Sequence, residues 1–163
     1  YYISISFTTL TLKITYMITK KMESEINKQI NAELWSAYMY LSMSAYCTKI
    51  GLSGTANWMR VQYQEEVAHA LKFFDYVTER GGEAKLMAIA EVPTEWKNII
   101  DVFEQTLKHE EKVTSLINHL MDVAIEEKDH AAKSFLQWYV DEQVEEEANV
   151  HKSLDELRSI AGK

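Results

Sequence analysis

Phe135-Leu136-Gln137-Trp138-Tyr139-Val140-Asp141-Glu142-Gln143-Val144-Glu145-Glu146-Glu147 begins as an amphipathic helix and then breaks its own rule. Leu136 and Tyr139 open an apolar stripe at helical spacing, and Val150 and Leu157 continue it. Between them the stripe is occupied by Gln143 and Glu146. The same interruption recurs along the chain. One row reads Ile26, Glu33, Tyr40, Cys47, with Ile30, Ala37 and Ser44 beside it. Another reads Met59, Glu66, Phe73, beside Gln62, His69 and Tyr76. A third reads Phe103, Glu110, Ile117, Ala124, beside Leu107, Thr114 and Met121. Four helices are predicted, and each carries an ionisable or amide residue on its inward face.

The helices are expected at Lys21 to Lys49, Thr55 to Arg80, Asn98 to Glu127, and from Asp129 to at least Leu157. Gly51-Leu52-Ser53-Gly54 is a short turn, Gly81-Gly82 stops the second helix, and Lys128-Asp129 separates the last two. Five Gly and one Pro, Pro93, suit long helices and not an all-β domain. Each helix would be about 40 Å long at about 1.5 Å per residue. Short turns make two antiparallel hairpins. The fifteen residues from Glu83 to Lys97, at about 3.3 Å each, reach the length of a bundle. The expected fold is all-α: a four-helix bundle with one long crossover between the second and third helices. A functional lid or a disordered loop is the other reading of that segment.

Buried carboxylates without partners cost several kcal/mol each, and like charges facing one another cost more. A single core histidine satisfied by a hydrogen bond would be ordinary. Five interruptions spread over four helices need a compensating charge. The spacing points to its source. Glu33 to Glu66 is 33 residues and Glu66 to His69 is three; Glu110 to Gln143 is 33 and Gln143 to Glu146 is three. Adding 77 maps Glu33, Glu66 and His69 onto Glu110, Gln143 and Glu146, and Glu65 onto Glu142. A helical hairpin carrying one Glu and a pair three residues apart is thus repeated. Residues three apart share a helix face, so each pair can grip one site. Divalent metal is the simplest compensating charge, against an inert bundle with solvated charges. Oxygen-rich ligation with one histidine suits iron or manganese; structural zinc takes more Cys and His.

The net charge of −8 excludes the basic face that a nucleic-acid partner requires. Cys47 is the only cysteine, so there is no intrachain disulfide, no redox pair and no four-cysteine iron site. A reducing, cytoplasmic setting follows. Residues 1–16 contain no acid and many β-branched residues. They lack the basic start and unbroken apolar centre of a signal peptide and are too short and polar to span a membrane. They are expected to be a non-native or disordered extension before a domain at 17–163; an arm with an assembly role is the alternative.

Residues 17–163 resemble the bacterial non-haem ferritins along essentially their whole length. The resemblance is carried by the run Asn31 to Tyr38 with Tyr40, by Gln64 to Ala70, by His109-Glu110, and by the run from Phe135 to Glu147. It implies that Glu33, Glu66 and His69 hold a first iron, with Glu66 bridging. Glu110 and Glu146 hold a second, with Gln143 on the oxygen-binding side. It further implies a third iron position at Glu65, Glu142, Glu145 and Glu146. Tyr40 and Trp138 then hydrogen-bond to the centre or supply electrons. From the residues alone both aromatics read equally as core fillers, and the surplus glutamates as a solvated acidic face. The implied activity is oxidation of Fe(II) to Fe(III) by O2 or H2O2, followed by storage of ferric mineral in a homo-oligomeric cage of twenty-four subunits. The alternative is a soluble di-iron oxidase or peroxidase without storage.

Relatives can be separated. Bacterioferritins use Glu-x-x-His in both halves, whereas the second half here is Gln143-x-x-Glu146. Rubrerythrins carry a cysteine-rich iron domain, and the miniature DNA-protecting ferritins place their ligands at a dimer interface. Family chains continue past Ile160-Ala161-Gly162-Lys163 into a turn and a short fifth helix, which this sequence lacks. That difference bears on how a shell would close.

Overall fold

The computed structural model describes residues 17–161. Residues 1–16, with the expectation that they form an extension, and Gly162 and Lys163 lie outside the described residues. Four helices account for most of the described chain: α1 Lys20–Lys49, α2 Ser53–Glu79, α3 Ile99–Glu126 and α4 His130–Ala161. The starts of α1, α3 and α4 are set by side chains that accept from the first free amides. Thr19 accepts from Met22 N at 3.2 Å, Asn98 from Asp101 N at 3.0 Å and Asp129 from Ala132 N at 3.0 Å.

The first three helices end in the same way. Leu52 N donates to Cys47 O, Gly82 N to Val77 O and Asp129 N to Ala124 O, each at 2.9 Å. This closure needs the residue after the helix in the left-handed region. Gly51 and Gly81 take it at φ of 81° and 72°, where the missing Cβ removes the strain. Lys128 takes it at φ 55° with a full side chain. Lys128→Gly is therefore expected to raise the unfolding free energy by about 1 kcal/mol, as measured by urea denaturation. An unchanged or lower midpoint would show that the turn carries no strain.

α1 packs closely on α2 and α3, and α3 on α4. α2 and α4 are held apart by large rings: Phe73 stacks on Tyr139 at 4.1 Å and Tyr76 on Phe135 at 3.9 Å between centroids. The apolar interior falls into two clusters. Met22, Ile26, Ile30, Phe73, Ile117 and Leu136 belong to one. Met39, Met43, Met59, Phe103, Val150 and Leu154 belong to the other. Along every helix the residues between the two clusters are the polar ones noted above. The interrupted stripes therefore line up as a single polar layer across the middle of the bundle.

Residues 83–98 have no regular secondary structure but are held along α1. Asn27 Nδ2 donates to Glu83 O at 2.9 Å, and Asn27 Oδ1 accepts from Lys85 N at 2.6 Å. Asn31 Nδ2 reaches Met87 O and Ala88 O at 3.3 and 3.2 Å, Trp35 Nε1 reaches Glu91 O at 3.4 Å, and Ser42 Oγ reaches Pro93 O at 2.6 Å. The crossover is thus a strap fastened to the outside of α1, neither a lid nor a free loop.

Candidate metal centre

Glu33 on α1, Glu66 and His69 on α2, Glu110 on α3, and Gln143 and Glu146 on α4 are all buried in the polar layer. Glu33, Glu66 and His69 bring one ligand atom each to within 4.8 Å of one another. His69 Nδ1 stands 3.7 Å from Glu66 Oε2, too far for a hydrogen bond. Glu33 Oε1 accepts from Gln29 Nε2 at 2.8 Å. Glu33 Oε2 and Glu66 Oε2 are buried without any donor. Opposite them, Glu110 accepts from the Tyr40 hydroxyl at 2.5 Å and from Gln143 Nε2 at 3.3 Å.

No Lys or Arg is buried among the described residues. The layer gathers four carboxyl groups around one imidazole, so the balancing charge must be a proton or a cation from outside. The acidities reflect this. Burial, then the neighbouring Glu66, pushes the Glu33 carboxyl well above the usual range. Burial, then Glu110, does the same to Glu66. Burial raises Glu110 despite the hydrogen bonds from Tyr40 and Gln143. Burial, then Glu110 and Glu65, lifts Glu146 to about 7. Tyr40, pushed well up by burial and by Glu110, stays a phenol and so remains a donor. Two orphaned carboxylate oxygens beside an imidazole are a donor set that a hard or borderline divalent cation fits.

The other predicted residues lie around this layer. Glu65 and Glu145 are exposed and Glu142 is half-buried. Glu65 accepts from Gln62 Nε2. Among the described residues only Glu33, Glu66 and His69 converge as a ligand trio, so Glu65, Glu142 and Glu145 are neighbours of the centre and not a gathered site. Trp138 is 39 % exposed, lies edge-on to His69 at 5.4 Å, and has Lys72 Nζ over its face at 3.0 Å.

Sequence reasoning passed over four participants. Gln29, one turn before Glu33, fixes that carboxylate; a search four residues either side of each ligand would have found it. Tyr139 donates its hydroxyl to His69 O at 2.9 Å, tying α4 to the helix that carries the histidine. Thr114 accepts from Gln143 at 3.3 Å and donates to Glu147. His109 is driven down to about 4 by burial, then by Lys112, and so is neutral at physiological pH. Ser36 Oγ shares a hydrogen bond of 2.7 Å with His109 Nε2, joining α3 to α1 beside Glu110, and also lies 3.0 Å from Ala32 O.

Comparison with known proteins agrees with this geometry. A family model described as Ferritin-like domain matches residues 23–160. The bacterial non-heme ferritin of Bacteroides fragilis is 46% identical over 142 residues, covering 87% of this chain and 89% of its own. A probable bacterial non-heme ferritin-like protein of Haemophilus influenzae is 42% identical, covering 88% and 87%. Among solved structures, an open pore ferritin from the hyperthermophilic archaeon Archaeoglobus fulgidus superposes with a TM-score of 0.87 at 53% identity, covering 88% of each chain. The Chlorobium tepidum ferritin gives 0.86 at 41% identity, covering 89% and 88%. By the matched domain, the identity over nearly its whole length and the shared four-helix fold, this chain belongs to the ferritin family.

Proposed function

We propose that the chain is an iron-storage ferritin subunit that oxidises Fe(II) at the polar layer, with iron as substrate and cargo. The observation that carries this is the pair of buried, donor-less oxygens on Glu33 and Glu66, facing His69 in a layer without Lys or Arg. Glu33, Glu66 and His69 hold one iron, and Glu110 and Glu146 the other, with Glu66 between them. As Fe(II) enters, the carboxyl groups that burial keeps protonated release their protons, and the cations take over the neutralising role. Carboxylates favour Fe(III), the harder ion, over Fe(II), which drives the oxidation. Two Fe(II) give up one electron each. The pair reduces O2 with two protons to H2O2, or H2O2 with two protons to two waters. Tyr40 and Gln143 hold Glu110 in place, and Trp138 packs edge-on against His69.

The product is stored as ferric mineral inside a cage of twenty-four copies, in the reducing cytoplasm. No helix among the described residues is long and apolar enough to cross a membrane. The acidic net charge leaves nucleic acid without a matching face. The test is aerobic Fe(II) loading followed by sizing and an iron count. Many irons retained per subunit in a shell of hundreds of kDa is the expected result. Turnover of Fe(II) by a monomer or dimer that retains no mineral would favour the di-iron oxidase or peroxidase reading instead.

Glu65, Glu142, Glu145 and Glu146 form the third iron position in this proposal, filled in transit and not pre-organised. Their support is electrostatic: Glu65 and Glu142 both act on the buried Glu146 carboxyl. Replacing Glu65, Glu142 and Glu145 together by Gln should leave the first two metals bound. It should change the iron-to-oxygen stoichiometry and slow regeneration of the centre, as read by stopped-flow oxidation with oxygen uptake. Wild-type values in the triple variant would make these residues a solvated acidic face.

A further inference from the structure

A cleft of about 430 Å³ opens between α3 and α4 on the side of the bundle where Gln143 stands. Its apolar walls are Ile117, Val140, Val144 and Ala148, and the exposed Asn118 and His151 also line it. At its inner end Gln143 Nε2 donates both to Glu110 Oε2 and to Thr114 Oγ1, at 3.3 Å each. The cleft therefore reaches to within one amide of the proposed centre. Glu147 is the only carboxylate on its lining, and it already accepts from Thr114. A cation would have to shed water along the aliphatic part of the walls, at a cost of several kcal/mol. A small apolar molecule such as O2 pays no such penalty, and apolar cavities take up apolar guests such as xenon. The inner end is closed by the Gln143 amide and the Thr114 hydroxyl, whose hydrogens are already given to Glu110, Thr114 and Glu147.

We propose that the α3/α4 cleft is the entry route of O2 to the metal centre, with Gln143 and Thr114 as its inner gate. The inference rests on the metal-centre reading above and deepens it.

Val144 is 71% exposed, so bulk can be added there without displacing the core. Val144→Trp should obstruct the cleft, and Ala148→Phe, one turn further on, does so independently. Each is compared with wild type at equal assembly size. The apparent KM for O2 should rise by about threefold or more with kcat at saturating O2 unchanged. Anaerobic Co(II) binding, followed by its visible absorption, should stay as in wild type. Wild-type crystals pressurised with xenon should show xenon between Ile117 and Val140. Unaltered O2 dependence in both variants, with Co(II) still bound, overturns the oxidant route alone. So does slower Co(II) entry at unchanged O2 dependence, which would make the cleft a cation path. Absence of xenon from the cleft also counts against it. A wild-type chain that binds no Co(II) overturns the metal-centre reading, and the route with it.

Discussion

Glu66→Ala is expected to lose rapid Fe(II) oxidation, by about two orders of magnitude or more, while its helices stay folded. Glu66 faces both halves of the layer: it lies in the trio with Glu33 and His69, and the charges of Glu110 and Glu146 act on it. In the proposed centre, removing it leaves neither iron a complete set of ligands. The folding energetics run the other way. The lost methylenes and the small cavity cost about 1–2 kcal/mol. Against that, one buried carboxyl group with a donor-less oxygen disappears, and Glu33 loses its nearest like charge. The metal-free variant should melt close to the metal-free wild type. Stopped-flow absorbance gives the rate and circular dichroism the melt, with Glu111→Ala, an exposed position, as the control. Wild-type oxidation in Glu66→Ala would remove Glu66 from the centre.

The second large effect is on stability itself. Glu146 titrates at about 7 in the folded chain against a free value of 4.5, and Glu33, Glu66 and Glu110 are shifted the same way. The native state thus holds protons that the unfolded chain releases. That contribution is fully present below the ordinary carboxyl range and is lost as pH rises through the native values, to about 7 for Glu146. For Glu146 alone the loss amounts to about 3 kcal/mol. Metal-free protein should therefore melt at a lower temperature at pH near 8 than near 6. A divalent cation should flatten the dependence, because it neutralises the carboxylates in place of protons. At about a hundredfold excess over Kd it adds about 2.7 kcal/mol. Differential scanning calorimetry with and without Co(II) measures both. A metal-free melting temperature that rises over this range would mean that the layer is neutralised from within the protein.

The layer was legible in the sequence because its chemistry conflicts with its position. Glu33, Glu66, Glu110 and Glu146 stand where apolar residues belong, and the 77-residue repeat ties them together. Helix ends were legible where glycine supplies the turn, as at Gly51 and Gly81. They were less so at Lys128, since a lysine gives no sign of a left-handed backbone. The strap was open to two readings because the residues that hold it, Asn27, Asn31, Trp35 and Ser42, look like ordinary surface positions of α1 until their partners are known. Tyr139 was read as a ring on the stripe, and nothing in its spacing tells that its hydroxyl reaches His69 O. Glu65, Glu142 and Glu145 were grouped by resemblance. Glu65 and Glu145 are exposed and Glu142 is half-buried, so the fold alone does not gather them.

The strap has one more consequence, for how freely its text can be rewritten. Five of its carbonyls, from Glu83 to Pro93, are gripped by side chains of α1. Its own Leu86, Met87 and Ile89 point outward and are 68%, 47% and 45% exposed. Apart from Val92 and Trp96, which are buried in the second apolar cluster, recognition runs through the main chain, which every amino acid shares. Within a single chain the strap's spelling is thus weakly constrained away from those two side chains, and its length strongly so throughout. Substituted residues inherit the same grip, while an inserted or deleted one shifts every later carbonyl out of register with its holder. For protein engineering, this is a segment suited to exchanging letters and ill-suited to changing their number.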